Sequence, residues 1–290
     1  MELVLQNIKK SYGKTEALKG VSMTLTHGIY GLLGPNGAGK STLMNILTGN
    51  LKQTEGQILL NGRALHAANS QLRAKIGYCP QQEAFYPGFT AEQFLFYTAS
   101  LQGMEKQWAT ERINWALDVL SLSDVRRKAI RGFSGGMKQR LLLAQAIIHD
   151  PDILILDEPT AGLDPRQRIA VRNLISEIAL HKIVLISTHV VQDIEHIAKE
   201  LILLEKGQIL YQGNPVDLLA SLEGQVWEVM ADEKNLEQVC RSGVVCGMSK
   251  VEGQICVRLL CNEHPFDNMR SVRPALEDVY LYFFGDEESK

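Results

Sequence analysis

Nowhere does this sequence hold the roughly 20 consecutive apolar residues that a helix needs to cross a bilayer. Its opening, Met1–Gly13, shows no basic stretch followed by an apolar run, so it does not read as a signal peptide. A chain with neither feature is expected to act at a membrane only by docking to something already there. Dense basic runs are missing too, which argues against nucleic acid as the main partner. The net charge is −3, unevenly divided: residues 215–290 hold 7 Lys and Arg against 14 Asp and Glu. That acidic excess reads as a solvated surface. There are only 5 cysteines, and the spacing of Cys240, Cys246, Cys256 and Cys261 does not match that of a zinc site. They are expected to be reduced, buried small hydrophobes. Sustained heptads are absent, and no 20–50-residue repeat recurs, so a single unit rather than a tandem pair is encoded.

What is present is an ordinary globular composition, 45% hydrophobic and 22% charged, in a chain of 290 residues with room for one large core and a smaller module. Leu3–Ile8, Val21–Leu25, Ile29–Leu33 and Gln57–Leu60 are short and strand-like, the last turned by Asn61-Gly62. Lys40–Leu47 reads as a helix. Thr90 and Gln93 form a capping box that opens a second helix, Ala91–Leu101. Ile113, Ala116, Leu117 and Leu120 recur at helical spacing. Ile153–Leu156 and Ile183–Ile186 are apolar throughout, the pattern of parallel strands buried on both faces. The helices between the two sheet-like regions predict an inserted helical subdomain over about 83–150. Past Gly213-Asn214-Pro215 the pattern changes, and Val226–Met230 and Ile255–Leu260 suggest a separate small domain. The division predicted is 1–214 and 215–290.

Gly34-Pro35-Asn36-Gly37-Ala38-Gly39-Lys40-Ser41 matches the phosphate-loop pattern G-x4-G-K-[ST] in full, between a strand and a helix. Phosphate oxygens need several converging backbone N–H groups, and glycines let the chain curl tightly enough to supply them. The helix N-terminus adds free donors and its positive dipole end. Lys40 would reach the β- and γ-phosphates, Ser41 would bind Mg²⁺, and Thr42 would support the α-phosphate. Ile153–Leu156 runs into Asp157 and Glu158. A doubly buried strand delivers such carboxylates to the sheet's C-terminal edge, where open α/β folds bind ligands. Alone, an apolar run ending in Asp-Glu is a modest signal, since many strands end in a solvated acid; downstream of a phosphate loop it is a strong one. Ser134-Gly135-Gly136 opens a Leu/Ala-rich helix and places a further set of free N–H groups at a helix end. By itself that reads as a helix cap.

Phe133 to Arg140, reading FSGGMKQR just ahead of that strand, resembles the signature motif of the ABC ATPases, and the family's other elements follow in order. Tyr12 matches the aromatic that stacks on adenine and Gln81 the Q-loop glutamine, which could be exchanged for Gln82. Asp164, in Ala161-Gly162-Leu163-Asp164, matches the D-loop, and His189 the switch histidine. The resemblance spans about residues 2–213. It implies an α/β P-loop ABC ATPase fold: a parallel-sheet core, an antiparallel β region and an inserted helical subdomain, with residues 215–290 as a small α+β appendage. It also implies ATP and Mg²⁺ as cofactors, with Ser41, Gln81 and Asp157 at the metal and Glu158 activating water. His189 and a partner's Ser134, Gly135 and Gly136 would then hold the γ-phosphate, and Asp164 would contact the partner's phosphate loop. Outside the resemblance, Tyr12 reads equally as a surface aromatic, His189 as a histidine at a strand end, and Asp164 as a helix cap. Phe133 and Met137 stand where the commonest signature has Leu and Gln. The first is a conservative packing change; the second forgoes any polar contact near the partner's ribose.

Pro274–Tyr282, with its Leu276-Glu277-Asp278-Val279 core, resembles the close of drug and antimicrobial-peptide exporter ATPases, although it reads equally as a terminal helix packed on its own domain. The resemblance implies a second ATPase chain, identical or paralogous, and a separate transmembrane permease that carries the pair on the inner face of the membrane. Phe85, Tyr86, Pro87 and Phe89 form an aromatic cluster that is either core or the permease's socket. A soluble ABC ATPase that moves no solute, and an importer subunit, remain alternatives.

Overall fold

The computed structural model describes residues 1–65, 74–81, 85–232, 234–251, 253–262 and 266–285, and falls into two compact units, Met1–Gln212 and Gly213–Lys290. The larger unit begins with two long antiparallel strands, β1 (Leu3–Tyr12) and β2 (Thr15–Leu25). β3 (Gly28–Leu33) leads through the glycine loop into α1 (Lys40–Leu47). β4 (Glu55–Leu60) and β5 (Arg63–Leu65) form a hairpin with β1 on the far side of β4. Its turn residues Asn61 and Gly62 both have positive φ, 50° and 75°, as a two-residue hairpin turn that follows the strand twist requires. The first sheet therefore runs β2-β1-β4-β5.

The second sheet of this unit carries the chemistry. It runs β10-β9-β3-β8-β7-β6, with β6 at Ile76–Cys79, β7 at Ile153–Asp157, β8 at Ile183–Ser187, β9 at Glu200–Glu205 and β10 at Gln208–Gly213. The strands from β9 to β6 pair in parallel. β7 and β8 are buried at every position, which explains why their sequences are apolar rather than alternating. One face, including Ile153, Ile155, Ile183 and Leu185, shares a core with Leu5, Ile8 and Val21 of the first sheet and with Met44 and Leu47 of α1.

Between β6 and β7, among the described residues, come three α-helices: α2 (Ala91–Leu101), α3 (Lys106–Val119) and α4 (Gly135–Ile147). They pack on one another, and α4 also lies against β6 and β7. The capping box that opens α2 is complete: Thr90 Oγ1 accepts from Gln93 N and Gln93 Oε1 accepts from Thr90 N. α5 (Pro165–Ala179) joins β7 to β8, with Pro165 in its first turn.

In the smaller unit an antiparallel sheet, β12-β13-β11-β14, is built from β11 (Val226–Ala231), β12 (Val244–Val251), β13 (Gln254–Leu260) and β14 (Met269–Ser271). It is accompanied by α6 (Pro215–Ala220), α7 (Leu236–Arg241) and α8 (Leu276–Phe284). The expectation of buried cysteines fails here: Cys240, Cys246, Cys256 and Cys261 are only half-buried, and Cys79 of β6 alone is fully enclosed. So small a unit has too little interior to cover its whole sheet. The terminal helix packs on its own unit, with Leu276, Val279 and Phe284 buried. Asp278, at 1% exposure, receives both Nε and Nη2 of Arg258 at 2.9 and 2.6 Å.

Candidate functional site

Register places the candidate residues at one edge. Ser187 lies level with Leu32 of β3 on one side and with Asp157 of β7 on the other, while Cys79 of β6 lies level with Leu156. The loop after Leu33, the carboxylates at the end of β7, His189 after β8 and Gln81 after β6 therefore all leave the sheet at its C-terminal edge. Parallel neighbours lie about 4.8 Å apart, so β3 and β7 stand about 10 Å apart across β8.

The phosphate loop is tightly fitted at its ends and open at its crown. A Cβ on Gly34 would fall 2.1 Å from the Leu204 carbonyl oxygen; one on Gly39, at φ +108°, would fall 2.7 Å from that of Ala17. Asn36 and Gly37 are exposed, and a Cβ on Gly37 would meet nothing. Pro35 is half-buried and Ala38 fully so. No side chain caps α1, leaving its first N–H groups available to an anion. Lys40 Nζ donates to the carbonyls of Gly34 and Pro35 at 2.5 and 2.9 Å, which holds the amine over its own loop. Burial lowers its pKa, against the opposing pull of Glu158 and Asp157. Ser41 is exposed and Thr42 half-buried on the first turn of α1. Tyr12, 51% exposed at the turn between β1 and β2, has Lys10 Nζ 5.2 Å from its ring centre. That ring is open, as either a surface aromatic or a stacking platform would be.

Asp157 is 7% exposed. Burial raises its pKa; a hydrogen bond with Ser187 pulls it down, neighbouring Glu158 pushes it up, and Lys40 pulls it down again, for a net rise. Glu158 adopts φ +52°, a left-handed conformation that costs a residue with a Cβ about 1–3 kcal/mol. Its surroundings hold it there. Its N–H donates to Ser187 O at 2.9 Å, and its carbonyl accepts from Gln139 Nε2 at 2.9 Å. Oε1 accepts the His189 backbone N–H at 2.9 Å and lies 2.8 Å from His189 Nδ1; Oε2 takes the Thr188 hydroxyl at 3.3 Å. The His189 side chain stays 74% exposed even so. Among the described residues no three His, Cys, Asp or Glu side chains cluster to hold a metal. Mg²⁺ is usually held by one or two carboxylates together with phosphate and water. The Asp157 carboxylate, the Ser41 hydroxyl and the Gln81 amide oxygen are donors of the right hardness.

A second group of candidates lies at the start of α4 and the turn into α5. Ser134 caps α4, its hydroxyl accepting from Met137 N at 3.3 Å. Gly136 is pressed against the turn before α5: a Cβ there would lie 3.1 Å from Gln167 Oε1 and 3.3 Å from Gly162 O. Gly135, by contrast, faces open space. Asp164 does act as a helix cap, accepting from Gln167 N at 2.8 Å. Phe133 is buried and Met137 half-buried. The aromatic cluster divides: Phe85 packs edge-on against buried Phe94, while Tyr86 and Phe89 meet the partly exposed Tyr97. Gln81 is exposed at the sheet edge; Gln82, the alternative, lies outside the described residues. Gln139 and Thr188 were missed as site residues. Thr188 was legible as a hydroxyl beside the histidine at a strand end, whereas Gln139 gave no signal separable from the rest of its motif.

Comparison with known proteins shows the family. The ABC transporter family model matches residues 18–161. An uncharacterized ABC transporter ATP-binding protein of Bacillus subtilis, YxlF, is 40% identical over 233 residues, covering 80% of this chain and 77% of that protein. The Nod factor export ATP-binding protein I of Ralstonia nicotianae is 32% identical over 302 residues, covering 98% of this chain and 94% of its own length. Among solved structures, an ATP-binding subunit of an ABC transporter superposes with a TM-score of 0.70 at 26% identity, over 76% of this chain and 93% of that one. The chain belongs to the ABC transporter ATP-binding proteins and is an ATPase.

Proposed function

We propose that two copies of this chain, or this chain and a paralogue, close head to tail around two ATP–Mg and drive a separate transmembrane permease that exports a drug, peptide or lipid-like substrate. One observation carries the pairing. Ser134 caps its own helix, Gly136 packs against Gly162 and Gln167, and Gly135 faces open space; with the chain's own nucleotide served by its phosphate loop, a second chain's nucleotide is the natural occupant of the signature N–H groups. In this reading the loop, Lys40 and the start of α1 bind the phosphates, and Tyr12 stacks on adenine. Ser41, Gln81 and Asp157 would hold Mg²⁺, which when bound offsets phosphate charge. Glu158 takes a proton from the attacking water or orients it. His189 and the opposite chain's signature steady the charge that develops on the γ-phosphate.

Export rests on the relatives. The Nod factor export protein aligns along almost the whole chain, the smaller unit included. The exposed Tyr86 and Tyr97, the first of them five residues beyond Gln81 in sequence, offer a surface for the permease, and the protein works on the cytoplasmic face.

Tagged Glu158→Gln protein, purified with ATP and Mg²⁺ from detergent-solubilised host membranes, tests this function. A stoichiometric multi-spanning membrane protein is the expected companion. Ribosomes or a soluble complex in its place would overturn the transport reading and leave the ATPase standing.

A further inference from the structure

Gln139 is a buried polar side chain that the proposed chemistry does not use. It lies on α4, five residues beyond Ser134, and is 5% exposed. A glutamine amide there must find partners or lose the hydrogen bonds it made to water. Its Nε2 donates to the Glu158 carbonyl at 2.9 Å and lies 3.9 Å from Cys79 Sγ. Cys79 ends β6, two residues before Gln81. One amide group therefore touches the residue that carries the general base and the strand that carries the Q-loop glutamine. The glutamine adds a second, side-chain donor to a carbonyl that Ala161 N also reaches at 3.1 Å, and it braces a backbone at φ +52° that an extended strand would not adopt by itself. Glu158 N in turn donates to Ser187 O of β8, so the residue is held at both its N–H and its carbonyl.

The geometry points to Gln139 as a positioning residue for hydrolysis: it fixes the Glu158 backbone and so links the signature helix to the base of its own chain's site. The inference rests on the reading of Glu158 as the base and of Ser134 as the contact to the opposite nucleotide. On that reading one helix spans both sites. Its N-terminus meets the partner's γ-phosphate, and a side chain just over one turn further on holds the carboxylate that acts on its own chain's ATP. Engagement of one nucleotide and alignment of the other site's base then share a rigid element, with no contact between the two sites required.

Removing the amide while keeping the volume isolates this role. Gln139→Met is expected to lower kcat for ATP by roughly 10- to 100-fold, the scale of misplacing a reacting group by about an ångström, with KM and nucleotide affinity within about 2-fold of wild type. In a Glu158→Gln background the same change should lower the residual rate by less than about 2-fold, because the group being positioned is already disabled. Gln139→Glu supplies a readout that a packing role would not move. Its carboxyl can donate to the Glu158 carbonyl only when protonated, so its rate relative to wild type should rise as pH falls. Wild-type kcat in a folded Gln139→Met protein would overturn the inference, as would an undiminished further loss in the Glu158→Gln background. Should Gln139→Met not fold, a pH-independent ratio for Gln139→Glu would overturn it equally. Wild-type turnover in Glu158→Gln alone would instead remove the underlying assignment of the base, an outcome distinguishable from both.

Discussion

Glu158 is the residue at which strand, turn and chemistry meet. Its main chain is strained at φ +52°, and its side chain accepts three donors from Thr188 and His189. Replacing only its charge, Glu158→Gln, should slow hydrolysis by roughly 10²–10⁴-fold, about 3–5 kcal/mol of barrier, while ATP still binds. A single-turnover assay alongside a binding titration separates the two effects. Lys40→Ala should instead weaken nucleotide binding itself, and unchanged affinity would remove Lys40 from the phosphate cradle. Two glycines make a contrasting pair. Gly34→Ala drives a Cβ to 2.1 Å from the Leu204 carbonyl, so a lower melting temperature is expected. Gly135→Ala enters empty space, so its melting temperature should hold while ATP-driven pairing weakens. Equal effects of the two substitutions on stability would mean that Gly135 is there for the fold.

At the scale of elements, much of the fold was legible. The apolar runs of β7 and β8, the capping box of α2 and the Asn61-Gly62 turn are local signals with a single physical reading, and α1 and α2 fall where the sequence puts them. The phosphate loop was legible because its chemistry is contiguous. What stayed hidden depends on partners far apart in sequence. Gln139 binds the Glu158 carbonyl just past β7, and Asp278 binds Arg258 of β13. Nor does the sequence of β7 announce that the carboxylate just past it, Glu158, turns left-handed.

The Asp278–Arg258 pair belongs to the element scale because it anchors α8. Burial alone would raise the Asp278 pKa. The hydrogen bonds from Arg258 and from Ala275 N, with the Arg258 charge, outweigh burial and leave it below the ordinary 3.8. A carboxyl depressed in the folded state contributes stability above its unfolded pKa and loses it as pH falls through the folded value. The smaller unit is accordingly expected to weaken below about pH 4. Asp278→Ala should cost about 2–3 kcal/mol, less than for a fully buried pair because Arg258 is a quarter exposed. Denaturant titrations at neutral and acid pH check both, and in the variant the part of the acid sensitivity due to Asp278 should disappear.

For the whole molecule, the proposed pairing of chains would give the two clusters of site residues a common purpose. The phosphate loop, Asp157, Glu158 and His189 gather at one sheet edge, while Ser134, Gly136 and Asp164 gather around the turn into α5. A partner that supplies the second cluster to the first would complete each site, and nucleotide would hold the pair together until hydrolysis.

Sedimentation of Glu158→Gln protein with and without ATP and Mg²⁺ tests that claim most directly, with Ser134→Arg in the same background as the control. A nucleotide-dependent shift from monomer to dimer, abolished by Ser134→Arg while ATP still binds, is the expected result. A protein that is saturated with ATP and still monomeric, or a dimer indifferent to Ser134→Arg, would contradict the shared site.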